Sequence, residues 1–338
     1  MALVTSTKRP WYLNPDDLEG WYKKNLQEGT GSFNSYCREA INEVVTSLHS
    51  LCSSNLVPFN VDRVVKSGSL GKGTAVKDVS DVDLVAFVNP PHLQPILEVG
   101  AQIFKRQLAS VLRDMEKAMC SVRNVREVRN NGFLICFTLT NIGPDRRSVS
   151  IDLMPTADCH LGTRQAFSDM FKAMLVQEKT DRVFYSAAVV ESQLRFIRDQ
   201  PVYVKDLIRL VKNWMHDFLP KELQKSYRLE LITVHRWENA GKPKHFSMAQ
   251  GLKDILQILS DMSQLRVFWE LYYDTAMAEQ AISHFGMKRP IILDPVEPTD
   301  NVCSLYTEGN NMDVIQEAAM RALQSQLLRW VVVRSGWK

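Results

Sequence analysis

The chain has 338 residues and a mass of 38.7 kDa, with 45% apolar and 23% charged residues. That balance excludes a disordered or fibrous chain, and at about 100–200 residues per domain the length fits two domains or one two-lobed unit. A net charge of +3 excludes a polycation, so any nucleic-acid binding has to come from local patches. The longest unbroken apolar runs, such as Leu84–Val88 and Phe133–Phe137, have five residues, against about 20 for a membrane span. Residues 1–8 carry no apolar core of signal-peptide length, so no membrane contact is expected and the cytoplasm is the expected compartment. The six cysteines (Cys37, Cys52, Cys120, Cys136, Cys159, Cys303) are too scattered for a zinc knuckle or a redox pair.

In chain order, residues 33–52 read as a helix, with Ile41, Val44, Val45, Leu48 and Leu51 at helical spacing. Residues 63–66 form a β-run that ends in the turn-forming Gly68-Ser69-Leu70-Gly71, and residues 83–88 form a short apolar strand stopped by Asn89-Pro90-Pro91. Residues 101–119 read as helix, and 132–139 and 148–154 as further strands. Beyond about residue 165 the pattern is mostly helical. Residues 205–218 carry Leu207, Ile208, Val211, Trp214, Met215 and Phe218 on one face. Ser247 is a cap for the next helix, and residues 290–295 (Pro-Ile-Ile-Leu-Asp-Pro) form a rigid extended connector. The expected fold is α/β (α+β) and bilobal: a mixed β-sheet lobe over residues 1–160 and a helical lobe over 161–338.

The chemistry concentrates in Gly68-Ser69-Leu70-Gly71-Lys72-Gly73-Thr74 followed by Asp81-Val82-Asp83. A Walker loop fails, because Lys72 precedes Gly73 rather than Ser or Thr and only two residues separate Gly68 from Gly71. A strand, a Gly-Ser turn and an Asp-x-Asp strand form a different phosphate device: Gly68 permits close backbone approach, and the Ser69 hydroxyl and backbone amides donate. Asp81 and Asp83 stand two apart on a strand and project to one side, where paired carboxylates suit Mg²⁺. Asp152, a single acid in a hydrophobic β-run, is the candidate third carboxylate; an edge-strand Asp facing solvent is the alternative. Three carboxylates can hold two Mg²⁺ about 3.5–4 Å apart and take the proton of an attacking hydroxyl.

The block from Val64 to Thr74 with Ser80–Val85 resembles the 2'-5'-oligoadenylate synthetases of the polymerase-β-like nucleotidyltransferase superfamily. The resemblance continues in residues 151–155, 207–214, 229–234, 249–251 and 290–299, in family order from about residue 30 to about 320. It implies that Asp81, Asp83 and Asp152 are the catalytic triad and Mg²⁺ ligands. It makes Gly68, Ser69 and Lys72 phosphate or nucleotide contacts, and Arg209 and Lys212 nucleotide-binding cations on one helical face opposite the apolar stripe; a merely solvated basic face is the alternative there. Ser226 and Tyr227 would meet the base, although Ser226 stands where Gln is usual and can loosen adenine selection. Leu70 replaces a small polar residue, and the Cys-Phe-Lys tripeptide linked to oligomerisation in some members is absent, so a monomer is expected.

The same resemblance implies activation by double-stranded RNA, read by shape through phosphates and 2'-hydroxyls, and an antiviral, innate-immune role with ATP as substrate. Lys66 matches an RNA-contact position, and Arg195, Arg198 and Lys205 are further candidates, interrupted by Asp199 and Asp206; a plain solvated helix is the alternative. Cyclic GMP-AMP synthase and its animal relatives share the triad. Cys159 and His160 stand alone where a zinc thumb would need partners, so no zinc is expected. A zinc-free, RNA-activated cyclic dinucleotide synthase remains the alternative function. A catalytically inactive RNA sensor is disfavoured because all three carboxylates are present.

Overall fold

The computed structural model describes residues 9–27, 30–76 and 82–338. The first part of the chain contains α1 (Leu18–Tyr22), α2 (Thr30–Ser53), β1 (Val61–Lys66), α3 (Gly68–Lys72), β2 (Val82–Val88), α4 (Ile96–Cys120), β3 (Val125–Asn130), β4 (Ile135–Ile142) and β5 (Arg147–Thr156). There follow α5 (Arg164–Leu175), α6 (Lys179–Ala188), α7 (Val190–Arg198), α8 (Val202–Phe218), α9 (Ser226–Asn239) and α10 (Met248–Ser260). The small strands β6 (Arg266–Val267) and β7 (Ile291–Ile292) flank α11 (Thr275–His284), and α12 (Asn311–Leu323) follows them. The α/β expectation holds. Two of its details change: the Gly-Ser segment expected as a turn is the short helix α3, and β3 is a strand the hydropathy pattern does not announce.

Five strands form one mixed sheet in the order β1-β2-β5-β4-β3. Only β2 and β5 run parallel; the other neighbours are antiparallel. The unbroken apolar run of β2 follows from burial on both faces. Leu84, Ala86 and Val88 join a core shared with α2 and α4, whereas Val85 and Phe87 pack with Val65, Met154, Val190 and Leu194 under α7. Since neighbouring residues alternate sides, Asp83 lies on the α7 face with Val85, and Asp152 lies on it with Met154.

A second core gathers α8, α9, α10 and α12, with Trp214, Leu252, Ile255, Ile315 and Trp337 fully enclosed. Trp11, Leu18, Tyr22 and Leu26 belong to this core, and Phe167, Met170, Met174, Tyr185 and Val189 belong to the sheet core. The two cores thus cross the expected boundary near residue 160 in both directions. The N-terminal segment is pinned by hydrogen bonds from Trp11 Nε1 to Asp217 (2.8 Å) and from Tyr22 Oη to Asp206 (2.7 Å). Ser247 caps α10 as expected, accepting from the Gln250 amide. Among the described residues no helix is long and apolar enough to cross a membrane.

Candidate nucleotide site between sheet and helices

The parallel pairing of β2 and β5 puts Asp83 and Asp152 at the same register position on adjacent strands, so their Cα atoms are separated by about one strand spacing, near 4.8 Å. Both are half-buried. Cys136 pairs with Asp152 from the other side, on β4. Asp81 lies outside the described residues. Among those described, no three His, Cys, Asp or Glu side chains converge to hold a metal ion. The donor chemistry of Asp83 and Asp152, hard oxygens side by side at a sheet surface, fits a divalent cation such as Mg²⁺.

The glycine loop is fixed to this pair. The Ser67 amide donates to the Asp83 carbonyl (2.7 Å), and α3 begins immediately after it. Gly68 has φ +54°, and a Cβ there would stand 1.7 Å from Asp83 Oδ2. Glycine is therefore required by both backbone and space, because the Asp83 carboxylate rests against the Gly68 backbone.

Cations from the second half of the chain close over α3. Arg209 donates to the carbonyls of Gly73 (2.6 Å) and Ala75 (3.2 Å) and pairs with Asp206 at 2.8 Å. Lys212 Nζ reaches Ser69 Oγ (2.9 Å), Thr74 Oγ1 (2.9 Å), Thr74 O (3.1 Å) and Glu230 Oε1 (2.6 Å). The sequence places Arg209 and Lys212 together on an open basic face. In the structure Lys212 is only 3% exposed, because α8 is packed by α9 and α10 and its last polar side is sealed by the loop after α3.

Sequence reasoning did not single out Glu230, the residue that makes this possible. It is fully buried on α9 and also meets Lys72 Nζ at 3.1 Å and accepts from Thr74 Oγ1 at 2.9 Å. Burial alone would raise its carboxyl, but Lys212 and Lys72 outweigh that and bring it down to about 2. Its sequence signal is a lone acid in the apolar run Leu229–Val234.

Ser226 opens α9, and Tyr227 follows it, half-buried. The Tyr227 hydroxyl donates to Asp294 Oδ2 (2.8 Å), which also accepts from Gln193 Nε2 (2.9 Å). Asp294 Oδ1 accepts the amides of Val296 and Glu297. Burial pushes the Asp294 carboxyl up, and these hydrogen bonds restrain it. Burial, then Asp294, raises the Tyr227 hydroxyl well above its ordinary value, so it remains a donor. The Pro290–Pro295 connector is thus what fixes the tyrosine. Of the RNA candidates, Lys66, Arg195 and Arg198 are exposed, whereas Lys205 is half-buried and donates to the Arg198 carbonyl (2.8 Å). Asp206 turns from that surface toward Tyr22 and Arg209.

This fold is that of the nucleotidyltransferase superfamily. A nucleotidyltransferase domain model matches residues 48–124. CdnC of E. coli MS115-1, solved with ATP, superposes with a TM-score of 0.56 at 19% identity over 91% of this chain and 89% of that one. Terminal uridylyl transferase 4 from Trypanosoma brucei with bound GTP superposes with a TM-score of 0.52 at 15% identity over 96% and 98%. The model of the C-terminal domain 2 of 2'-5'-oligoadenylate synthetase 1 matches residues 163–334. Mouse (Mus musculus) 2'-5'-oligoadenylate synthase 1A is 32% identical over 82% of this chain and 80% of its own length. The chain belongs to the 2'-5'-oligoadenylate synthetase family. An inactive rat (Rattus norvegicus) relative, inactive 2'-5'-oligoadenylate synthase 1B, is 29% identical over 82% of this chain and 77% of its own length.

Proposed function

We propose that the protein is a double-stranded-RNA-activated nucleotidyltransferase that joins ATP into 2'-5'-linked oligoadenylates, acting as a cytoplasmic monomer in innate antiviral signalling. The observation that supports it best is the side-by-side register of Asp83 and Asp152 beneath the Gly68–Ser69 segment, in a chain of this family. Asp81, Asp83 and Asp152 would hold Mg²⁺, which when bound would supply Lewis acidity to the attacking hydroxyl and the leaving pyrophosphate. Ser69 and Lys72 orient the triphosphate, Arg209 and Lys212 act from behind by holding the segment after α3 in place, and Ser226 and Tyr227 hold the base. The 2'-oxygen of one ATP forms a bond to the α-phosphorus of another as the bond to the β-phosphate bridge breaks. Asp152 takes the hydroxyl proton, and pyrophosphate leaves. Lys66, Arg195, Arg198 and Lys205 form the proposed RNA surface.

The test is a product assay with Mg²⁺ and all four nucleoside triphosphates, with and without long double-stranded RNA. Products are resolved by mass and by 2'-5' versus 3'-5' nuclease sensitivity. An RNA-dependent ladder of linear 2'-5' adenylates is expected. A single cyclic dinucleotide would move the protein to the cyclase branch, RNA-independent turnover would remove the activation, and RNA binding without product would make it an inactive sensor.

A further inference from the structure

Lys72 ends α3, three residues beyond Ser69, and its ammonium crosses from the glycine loop to α9. There Nζ lies 3.8 Å from the centroid of the Tyr227 ring while it pairs with Glu230 at 3.1 Å. The ring is not free to swing aside. Its hydroxyl is tied to Asp294, itself held by Gln193 and two backbone amides, and the ring packs against the second core. The face Lys72 covers is therefore the one turned toward α3. A nucleotide whose phosphates lay along Gly68–Ser69 would approach Tyr227 from the α3 side.

We infer that Lys72 and a nucleobase compete for one face of Tyr227, and that Glu230 is the positioning residue that parks the ammonium there in the absence of nucleotide. The inference rests on the proposed nucleotide site and deepens it, giving that site a rule for which ligands it admits. An ammonium 3.8 Å above a ring fills the layer that a stacked base would occupy on that side, so the two exclude one another. A triphosphate resolves the conflict, because it offers Lys72 an anion in exchange for the ring. Glu230 still keeps Lys212 at 2.6 Å when Lys72 departs, so no buried carboxylate is left uncompensated. A nucleoside without phosphates offers the lysine nothing and must displace it unaided. The base subsite therefore selects for phosphate content before it selects for base.

Ligand-observed NMR titrations on the full chain, without RNA, compare adenosine with the inert analogue α,β-methylene-ATP in Mg²⁺. Lys72→Ala is expected to bind adenosine about three- to tenfold more tightly, from loss of the competing cation–π contact, and the triphosphate analogue more weakly. Lys72→Arg retains a cation and should match the native protein on adenosine, and Lys72→Ala/Tyr227→Ala should lose the gain. Adenosine affinity that is unchanged or lower in Lys72→Ala, or a gain that survives Tyr227→Ala, overturns the inference. If the analogue responds to Ser69→Ala while adenosine ignores Lys72→Ala, the inference alone fails. If the analogue ignores Ser69→Ala, Lys72→Ala and Tyr227→Ala alike, the nucleotide-site reading fails with it. A thermal melt of Lys72→Ala within a few degrees of the native value confirms that both proteins are folded.

Discussion

Gly68 is constrained in two ways. Its φ of +54° is one constraint, and the 1.7 Å approach of a would-be Cβ to Asp83 Oδ2 is a second, independent one. Gly73 separates the two, because it shares the positive φ (+72°) but its Cβ would meet only Lys205 Cδ at 3.8 Å. Both Ala substitutions should therefore cost about 1–2 kcal/mol of stability through the backbone. Only Gly68→Ala should push the Asp83 carboxylate off its place and cut turnover by about a hundredfold or more, the size seen when positioning is lost by an ångström. Melting curves and initial rates at saturating RNA and ATP check this; equal rate losses in both variants would mean that backbone strain, and not the Asp83 contact, is what matters. Asp83→Asn keeps the shape and removes the charge, so it should abolish product formation and leave RNA affinity within about twofold. Joint loss of both, read by product yield and filter binding, would make Asp83 a structural acid.

Between elements, the decisive feature is that α8 and α9 hold the glycine loop through a buried ion cluster of two lysines and one glutamate. Lys212→Met leaves Glu230 with Lys72 alone and removes the hydrogen bonds to Ser69 and Thr74, so it should cost about 1–3 kcal/mol, the usual penalty for buried polar groups left unsatisfied. Adding Glu230→Gln should recover part of it, as measured by denaturant unfolding. The pH dependence has a definite sign. Glu230 titrates near 4.5 when unfolded and is held down to about 2 when folded. Its contribution is therefore complete above about pH 4.5 and is lost as pH falls toward 2; Glu230→Gln should flatten that part of the stability curve. None of this is legible from spacing. Lys212 reads as a surface cation because the carboxylate that seats it arrives on another helix. Strand β2 was legible because burial on both faces leaves an unbroken apolar run. Strand β3 was not: only Val125 is buried in it, Arg126, Glu127 and Arg129 read as loop, and a bulge puts Glu127 at φ +55°. Helix α3 was hidden because Gly and Ser signal a turn. The Asp83–Asp152 pairing was only half visible, since sequence gives two acids on two strands but not their common register.

Across the whole molecule, α7 links the sheet to the support of Tyr227. Its inner face, Val190 and Leu194, packs against the strands that carry Asp83 and Asp152, Gln193 reaches the Asp294 hub, and Arg195 and Arg198 are exposed, as is Lys66. A polyanion resting on that outer surface would press on a helix that touches both the sheet and the tyrosine support. Phosphate contacts release counterions, so each contributes a definite slope to the salt dependence of binding. Arg195→Glu/Arg198→Glu should reduce the slope of log affinity against log salt by about two, one per lost contact. The RNA dose for half-activation should rise about tenfold or more near physiological salt, and excess RNA should overcome most of the loss. Lys66→Glu should act in the same direction with a slope change of about one. Lys205, bound to the Arg198 carbonyl, should matter less than its charge suggests. Fluorescence titrations at several salt concentrations, paired with activation curves, decide the matter: an unchanged slope would place the RNA on another face, and a loss that excess RNA cannot overcome would make these arginines supports of the fold rather than contacts.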